Sequence, residues 1–543
     1  MVFARRSTTL LAAIIASCAM VLSLTACTSD NKTVVDGQTT VTSNSAGGVA
    51  VFTPSDGITL NQQTPLNKWA KLVPDLAKAL ADAGFKKGDI DHTTSDSLAK
   101  QSRAIQDFVV DHLSNNTTDD SGIAIAPDNM TLLVAPVVEA DASTRQYGDY
   151  ISQNLSTNDA TDGEATSDGE SSEDDSSKDD SSNTESDSTA SDEQAQAMDR
   201  LVSSLKLAKE SGMHVVLLGN SIEGYKPDAF VKFSDAQTIG KLQAEKMVSK
   251  LKLDKASKDN PKYIEVLLPY TAVDEKGNAN DSTFAQEAFR GIWQVLGSYY
   301  QKGVVESPSG TLDGKSTEND WQAVAYDAAK EGSTAKVLDK RLAKTDGQST
   351  LTRIDGIITM NDYIASEVVK ELDDLGYTGS AADINPQITI SGIVGNITGK
   401  KDLSRDAVPD PIKSPENDNA NDSSSSDDDA DEDTSASDKD RDSQWPLVTG
   451  YGAYVSNIPS IVNGKQWMTG MEDRQTIATD IAQACAKLNK DEALNSMPSI
   501  RNSEVGGVKK IPTISEPLLA VSASNLKSAL IDPGYISLAD AGL

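Results

Sequence analysis

Short apolar runs alternate with longer amphipathic segments along most of the chain, and this pattern constrains the fold more than any other feature of the sequence. The runs from Gly48 to Phe52 and from Val215 to Leu218 are apolar throughout, as expected of strands that are covered on both faces. Between such runs, apolar residues recur at helical spacing, as in Pro65 to Ala83, after which Gly84 stands at a C-cap position. The predicted fold class is therefore α/β, with doubly wound parallel sheets.

The remaining predicted elements follow the same alternation. Strands are predicted at Leu132 to Val137, Ile264 to Leu268 and Gly356 to Met360, and near Ile388 and Leu447; helices are predicted at Gln194 to Glu210, Ala236 to Leu251, Phe284 to Tyr300, Trp321 to Leu342 and Tyr363 to Leu375. With residues 1–46 and the two acidic low-complexity segments described below set aside, roughly 430 residues remain, which is enough for two domains with sizeable cores.

Two low-complexity segments carry most of the formal net charge of −33. Residues 157–193 contain fourteen acidic residues against one lysine, and residues 416–442 contain twelve against two basic residues. Because both segments have almost no apolar residues, burial cannot offset the entropy cost of ordering them. They are predicted to be disordered acidic inserts at 156–193 and 401–444. Neither has the ligand spacing of a calcium-binding hand, and the overall acidity argues against a nucleic acid, another polyanion, as a partner.

The N-terminal residues predict export and lipid attachment. Arg5 and Arg6 precede an apolar stretch from Leu10 to Leu24, which is short for a membrane span but suited to a signal peptide. Its end, Leu24-Thr25-Ala26-Cys27, resembles a bacterial lipobox, so residues 1–26 are predicted to be cleaved and Cys27 to be acylated. Ordinary secretory cleavage is the alternative. Residues 28–46 are polar and are predicted to be a flexible tether. The predicted lipid at Cys27 would hold the protein on the extracytoplasmic face of the cell membrane.

Few residues in the chain are suited to catalysis. The three histidines, at 92, 112 and 214, disfavour a His-based triad or a His-rich zinc site. The chain has no G-x-S-x-G, no P-loop and no dinucleotide-binding glycine motif after the first strand. Cys485, the one cysteine after Cys27, lies at helical spacing that favours a buried core thiol over a nucleophile. We predict no enzymatic activity, no cofactor and no metal site.

Several stretches resemble sugar-binding proteins of the type I periplasmic-binding-protein fold, specifically the xylose and multiple-sugar branch that serves ABC importers. In chain order, these stretches are Val215 to Asn220, Val231 to Asp235, Gly240 to Ala244, Asp355 to Asp362, Val448 to Tyr454, Ile458 to Gln466, and Asn495 to Leu543. Together they span nearly all of the chain outside the acidic inserts.

The resemblance implies two lobes joined by three crossings, which close on a ligand by a hinge motion. It places an N-terminal lobe at 47–230 and a C-terminal lobe at 231–471. Residues 472–543 would return through the hinge and complete both lobes. The implied function is capture of a sugar, or a related small polar solute, at the carboxyl ends of both sheets and its delivery to an ABC permease in the membrane.

Sugar sites need polar groups for the hydroxyls and an aromatic face for the C–H surface. The candidates at predicted strand ends and helix starts are Ser55, Asp56, Trp69, Asn220, Asp235, Trp321, Asn361, Asp362, Tyr451 and Asp473. Some of these have structural alternatives. Trp69 could pack in the core, and Asp362 could cap the helix that begins near Tyr363. Asp56 could be a turn residue, and Asp473 could pair with Arg474.

Three positions depart from the pattern of this branch. Leu218-Gly219-Asn220 stands in place of Tyr-Asp-Arg, Ser234-Asp235-Ala236 in place of Phe-Asp-Asn, and Tyr451-Gly452 in place of Gln-Asp. A buried sugar hydroxyl that finds no hydrogen-bond partner costs about 1–3 kcal/mol. The usual sugar of this branch should therefore fit poorly.

Two classes of function remain open after these departures. One is a lipid-anchored substrate-binding protein, and the other is a sensory or protein-interaction surface lipoprotein that keeps the same fold. A surface hydrolase is disfavoured because no nucleophile and base stand at recognisable strand ends.

Overall fold

A computed structural model describes residues 32–35, 38–41, 46–55, 65–115, 125–138, 144–156, 184–273, 280–343, 351–381 and 443–543. The predicted signal peptide with Cys27, the candidate Asp56, the predicted strand near Ile388 and most of both predicted inserts lie outside these residues.

The strands are β1 (Lys32–Val35), β2 (Gln38–Val41), β3 (Gly48–Pro54), β4 (Ile90–Ser95), β5 (Met130–Val134), β6 (Asn154–Leu155), β7 (His214–Leu218), β8 (Ser221–Ile222), β9 (Ala229–Lys232), β10 (Lys262–Val266), β11 (Leu268–Pro269), β12 (Val305–Glu306), β13 (Ala325–Tyr326), β14 (Gly356–Ile358), β15 (Leu447–Val448), β16 (Met468–Met471), β17 (Ile500–Val505), β18 (Val508–Ser515) and β19 (Leu519–Ser522). The helices are α1 (Trp69–Asp82), α2 (Leu98–Asn115), α3 (Thr184–Glu210), α4 (Ala236–Leu251), α5 (Thr283–Gln301), α6 (Trp321–Val324), α7 (Ser333–Arg341), α8 (Asp362–Leu375), α9 (Ile458–Val462) and α10 (Arg474–Leu488), followed by a π-helical turn at Lys527–Ile531.

Residues 1–44 form a separate unit that contains an antiparallel hairpin of β1 and β2. Lys32 pairs with Val41 and Val35 pairs with Gln38. The strand sequences KTVV and QTTV are rich in β-branched residues, which favour extended pairing. This part of the predicted flexible tether therefore has regular secondary structure.

Residues 45–543 form the second unit, and its larger sheet has the order β17-β18-β9-β7-β5-β3-β4. Every neighbouring pair in this sheet is parallel except β17 with β18. Val49 and Val51 of β3 pack with α1 and α10, whereas Ala50 and Phe52 pack with α2 and α3. Because successive residues of a strand point to opposite faces, both faces are apolar and both are covered by helices.

The smaller sheet has the order β12-β10-β14-β15 and is parallel throughout. Ile358 of β14 faces the cluster formed with α4 and α5, and Ile357 faces the cluster formed with α7 and α8. The α/β class with parallel, helix-covered sheets is thereby confirmed.

The chain passes three times between the large sheet and the side of the protein that holds the small sheet, where β16 and β19 form a two-stranded sheet of their own and Met468 of β16 packs with α4 and α5. β9 of the large sheet leads through Ser234 to α4, which packs with the small sheet. Next, β16 leads through Glu472 to α10, which packs on the large sheet. The third passage leaves β18 of the large sheet for β19, which pairs antiparallel with β16.

Two predicted helices differ substantially from the structure. The helix predicted from Trp321 to Leu342 is wrong in its middle, because β13 pairs there with β11 and Gly332 adopts a left-handed conformation before α7. Helix α3 begins at Thr184, inside the predicted first insert, where its acidic N-terminal sequence suits the positive end of a helix dipole. None of the described helices is both long and apolar enough to cross a membrane.

Candidate functional site

The candidate site is the junction at which the carboxyl ends of strands from both sheets meet. Residues 144–156 follow β5 of the large sheet, whereas Asn361 follows β14 and Tyr454 follows β15 of the small sheet. Hydrogen bonds join Gln146 of the first segment to both Asn361 and Tyr454. In open α/β folds, ligands bind outside the carboxyl ends of the strands, so this junction is where a ligand is expected.

Asp362 is completely buried at the start of α8. Its Oδ1 accepts a hydrogen bond from Gln466 Nε2 at 2.7 Å, and its Oδ2 accepts from Thr469 Oγ1 and from the Tyr454 backbone N–H, both at 2.9 Å. Burial raises the pKa of Asp362 to about 6, although these hydrogen bonds lower it. Both carboxylate oxygens thus have partners supplied by the small-sheet side of the junction.

Asn361, rather than Asp362, is the N-cap of α8. Its Oδ1 accepts from the Ile364 N–H at 2.9 Å, while its Nδ2 donates to Gln146 Oε1 at 3.0 Å. Met360, which precedes it, has a positive φ of 68°, an uncommon conformation for a residue with a side chain. The Met360 carbonyl accepts a hydrogen bond from buried Gln243. Asn361 is therefore held by the helix on one side and meets the large-sheet segment on the other.

Tyr451 belongs to a buried polar group that we call the hinge cluster, made of Asn67, Ser234, Tyr451 and Glu472. The Tyr451 hydroxyl and Ser234 Oγ are hydrogen-bonded at 2.5 Å, and Glu472 Oε1 accepts from the Ser234 backbone N–H at 2.6 Å. The Glu472 N–H in turn donates to Asn67 Oδ1 at 3.4 Å. Two of the four residues, Ser234 and Glu472, lie on chain crossings, so the cluster ties the crossings together.

The environment of Glu472 perturbs its ionisation. Burial raises the pKa of this carboxyl to about 7, and the nearby charges of Asp235 and Asp473 also raise it, against the hydrogen bonds from Ser234. Sequence reasoning missed Glu472, Ser234 and Asn67 as members of the site. The one available signal is that Glu472 directly follows β16 and precedes the candidate Asp473.

Three other polar candidates have local structural partners. Asp235 caps α4 by accepting from the Thr238 N–H at 2.7 Å and pairs with Lys232 at 2.8 Å. Asp473 caps α10 by accepting from the Thr476 N–H at 3.2 Å and also accepts from the Tyr535 hydroxyl at 2.9 Å. The Asn220 side chain accepts from the Gln153 N–H and donates to the Pro136 carbonyl, both at 3.0 Å.

The sequence left open whether Asp473 pairs with Arg474 and whether Trp69 packs in the core. In the structure, Arg474 forms its ion pair with Asp75 at 2.7 Å. Trp69 is 3% exposed and packs in the large-sheet core, with its ring centroid 5.1 Å from that of Tyr150 and 5.8 Å from that of Phe233.

The last two described candidates are the aromatic ring of Trp321 and the exposed residue Ser55. Trp321 is 9% exposed, and its ring meets that of half-buried Tyr270 edge-on at 5.1 Å. Ser55 is exposed, and its backbone N–H donates to the Ser95 carbonyl at 2.8 Å. Ser55 thus follows β3 at the edge where β4 also ends.

Gln146 and Tyr147 were not among the sequence candidates, although they make direct contacts across the junction. Gln146 bonds Asn361 and Tyr454, and the Tyr147 ring lies 4.7 Å from that of Phe284 and 6.3 Å from that of Tyr451. We call these two residues the bridging segment. Nothing in the sequence pattern distinguishes them from an ordinary loop.

No protein-family model and no curated protein matches the chain. Solved structures do resemble it. An ABC transporter solute-binding protein from Clostridium phytofermentans with bound β-D-glucose is 17% identical, with 91% of this chain and 99% of that chain covered and a TM-score of 0.44. A carbohydrate transporter solute-binding protein from Chloroflexus aurantiacus in complex with D-glucose is 17% identical, with 92% and 98% covered and a TM-score of 0.43. An ABC transporter periplasmic solute-binding protein from Actinobacillus succinogenes with bound D-allose is 11% identical, with 89% and 99% covered and a TM-score of 0.38.

Proposed function

We propose that the protein is a lipid-anchored, extracytoplasmic substrate-binding protein that captures a sugar or a related small polar solute and delivers it to an ABC importer. The observation that carries this proposal is that segments following strands of two largely parallel sheets meet at one junction, which the chain crosses three times. Such a junction supplies polar groups from both sides, and motion about the crossings gives a ligand access.

The proposal divides the chain into an N-terminal lobe at 47–230 and a C-terminal lobe at 231–471, with 472–543 completing both. Ser234 and Glu472, which lie on two crossings, are within a few residues of these proposed boundaries. Asn361 is the central ligand-binding residue in this proposal because its Nδ2 points across the junction, whereas its Oδ1 is used as a cap. Tyr270 and Trp321 offer the aromatic surface.

The remaining candidates either support the structure around Asn361 or remain predicted ligand contacts. Asp362 and Tyr451 position the loops around Asn361 through their buried hydrogen bonds. Asn220, Asp235 and Asp473 fix the ends of their own elements. Ser55 and Asp56 remain predicted ligand contacts, and Trp69 is part of the buried core on the large-sheet side.

Ligand binding is tested by thermal unfolding of the chain from Thr28 onward, with a panel of monosaccharides, oligosaccharides, polyols and nucleosides. A ligand at a hundred times its dissociation constant adds about 2.7 kcal/mol of stability. N361D keeps the capping oxygen but replaces the Nδ2 donor with an acceptor, so it should abolish the shift. N319D, at an exposed position, should retain it. A shift with one sugar class that N361D removes supports the proposal; no shift across the panel contradicts it.

Lipid attachment is tested separately by fractionating cells that express the full chain or its C27S variant. Acylation at Cys27 predicts that the unchanged chain sediments with membranes and that C27S is processed differently and released. Equal distribution of both proteins would contradict the anchoring part of the proposal without affecting the binding part.

A sensory or protein-interaction role is the second candidate, and one observation favours it. Asn220, Asp235 and Asp473 already have hydrogen-bond partners within the protein, so their groups contribute little to a solute. A permease gene beside this one would support transport, whereas a histidine-kinase gene would support sensing.

A further inference from the structure

Asp149 and Tyr150 are attached to the large-sheet side of the junction, whereas Ile151 packs in the core that contains α4 and α5. Asp149 pairs with Lys68 at 2.9 Å, accepts from the Trp69 N–H at 3.1 Å and donates its own N–H to the Asn67 carbonyl at 2.8 Å. The Tyr150 ring stacks on Phe233 with centroids 4.8 Å apart. These contacts fix the chain immediately after the bridging segment.

The bridging segment itself contacts the opposite side. Gln146 Oε1 accepts from Asn361 Nδ2 at 3.0 Å, and the Gln146 backbone carbonyl accepts from the Tyr454 hydroxyl at 2.6 Å. Tyr147 is 1% exposed and is part of the core that contains α4 and α5. Half-buried Gln146 and buried Tyr147 therefore both contact groups of the small-sheet side.

Gly148 joins the bridging residues to the attached ones. Its φ is +98°, and a Cβ at this position would lie 2.6 Å from the Asn67 carbonyl oxygen. Glycine is the residue that adopts this conformation and approaches a backbone this closely without strain. The sharp change of direction between Tyr147 and Asp149 is thus built into the sequence.

We infer that Gln146 and Tyr147 are an intramolecular occupant of the interlobe site, which holds the two sides together when no solute is bound. The segment presents two hydrogen-bond acceptors and an aromatic ring to the groups that would otherwise meet a polar ligand. A solute that binds Asn361 has to displace Gln146 first; this consequence rests on the proposed function, whereas the closed state without solute does not. Apparent affinity falls in proportion to the fraction of molecules in which the site is free.

The test uses single-molecule energy transfer without any sugar, in the chain from Thr28 onward. Dyes are placed at D96C beside the large sheet and E331C beside the small sheet, both exposed positions, while native Cys485 is buried. The double variant Q146A/Y454F removes two hydrogen bonds across the junction. We expect the low-transfer, open population to rise by roughly tenfold or more, given the usual worth of two hydrogen bonds.

Two further variants make the outcome decisive. Q153A changes the same residue type in the attached part of the segment and should leave the transfer distribution unchanged. Y147S removes the buried ring and should open the molecule further; if it fails to fold, the double variant still decides. An unchanged distribution in a folded Q146A/Y454F protein would overturn the inference.

Binding measurements distinguish failure of this inference from failure of the proposed function. If the solute panel yields a ligand, Q146A/Y454F should bind it more tightly than the unchanged chain, because less of the site is self-occupied; equal or weaker binding would contradict displacement. If the panel yields none, the proposed function fails, while the transfer measurement still determines whether the bridging segment closes the protein.

Discussion

At the scale of single residues, the contacts of Asp362 lead to a sharp prediction for Thr469. Thr469 Oγ1 donates to Asp362 Oδ2 at 2.9 Å and accepts from the Ala453 N–H at 3.0 Å. The variant T469V keeps the side-chain shape but removes both bonds in a fully buried site. We expect the free energy of unfolding, measured in urea, to fall by about 1–3 kcal/mol.

The same substitution should raise the pKa of Asp362 above its value of about 6, because the bond from Thr469 is one of those that lower it. Carboxyl-carbon NMR titration measures this change. T479V, on the exposed face of α10, is the matched control and should change the unfolding free energy by less than about 0.5 kcal/mol. A T469V protein as stable as the control would show that the Asp362 contacts contribute little.

Glu472 predicts a loss of stability as pH rises. Its pKa in the folded protein, about 7, lies above the ordinary value of 4.5 because the carboxyl is buried. Between these values the folded state binds more protons than the unfolded state, so the free energy of unfolding decreases with rising pH. E472Q is always neutral and keeps an acceptor for Ser234. It should match the unchanged chain near pH 4.5 and exceed its stability by about 2–3 kcal/mol at pH 8.

The control for this experiment is E492Q. Glu492 is exposed, and Lys487 lowers its pKa through a hydrogen bond, so E492Q should not gain stability over the unchanged chain between pH 5 and 8. If E472Q and the unchanged chain keep the same difference in stability over this range, Glu472 does not titrate there.

Individual residues also show which parts of the site could be predicted from the sequence. The start of helix α8 could be placed to within a residue, because a capping residue and the helix it caps are adjacent in sequence, although the sequence suggested Asp362 as the cap where the structure has Asn361. Glu472 could not be identified, since its environment depends on Asn67 and Ser234, which are remote in sequence. Gln146 could not be identified from the sequence either, because its role comes from a hydrogen bond with Asn361, which lies more than two hundred positions away.

At the scale of elements, helices α4 and α5 pack through glycines. A Cβ at Gly240 would lie 2.2 Å from the Ala288 carbonyl oxygen, and one at Gly291 would lie 2.0 Å from the Gln237 carbonyl oxygen. Alanine would favour each isolated helix by about 1 kcal/mol. We nevertheless expect G240A and G291A each to lower the free energy of unfolding by about 1–3 kcal/mol, because the backbones would have to separate.

Chemical denaturation measures these differences, with S298A on the exposed face of α5 as the control. The control should stay within about 0.5 kcal/mol of the unchanged chain. A G240A or G291A protein of increased stability would mean that the two helices can separate without cost.

Elements were predictable where local signals agreed. Helix α4 has the predicted bounds because Asp235 caps it and its apolar spacing is continuous. The segment from Trp321 to Leu342 failed because a helical pattern there competes with pairing between β13 and β11. Such pairing is tertiary and leaves no periodic signal when a strand is only two residues long.

At the scale of the whole molecule, the parallel α/β class followed from continuous apolar strands, since those strands need cover on both faces. The antiparallel hairpin of β17 and β18 at the end of the large sheet did not follow, because an edge pair can join either sheet without changing its own sequence pattern. Site predictions were limited for the same reason. Which polar ends meet across the junction depends on how the two sheets pack.

The second acidic segment leads to a prediction about the complete protein. The chain on either side of it is joined by hydrogen bonds: the Thr378 N–H donates to the Ser443 carbonyl and the Trp445 N–H donates to the Thr378 carbonyl, both at 2.8 Å. Deleting residues 416–442 removes twelve acidic and two basic residues but leaves these partners in place. Because the deletion roughly halves the connection from Ala381 to Ser443, closure entropy should raise the free energy of unfolding by only about 0.6 kcal/mol.

Urea unfolding of the deleted chain, beside a chain in which the same residues are replaced by an equally long Gly/Ser segment, separates the effect of length from that of charge. We expect both proteins to fold, to stay within about 1 kcal/mol of the unchanged chain, and to give the same energy-transfer distribution between D96C and E331C. A larger loss of stability in both variants would mean that the acidic segment packs on the rest of the protein. A shift toward the open state in both variants would mean that its charge helps to hold the two sides of the junction together.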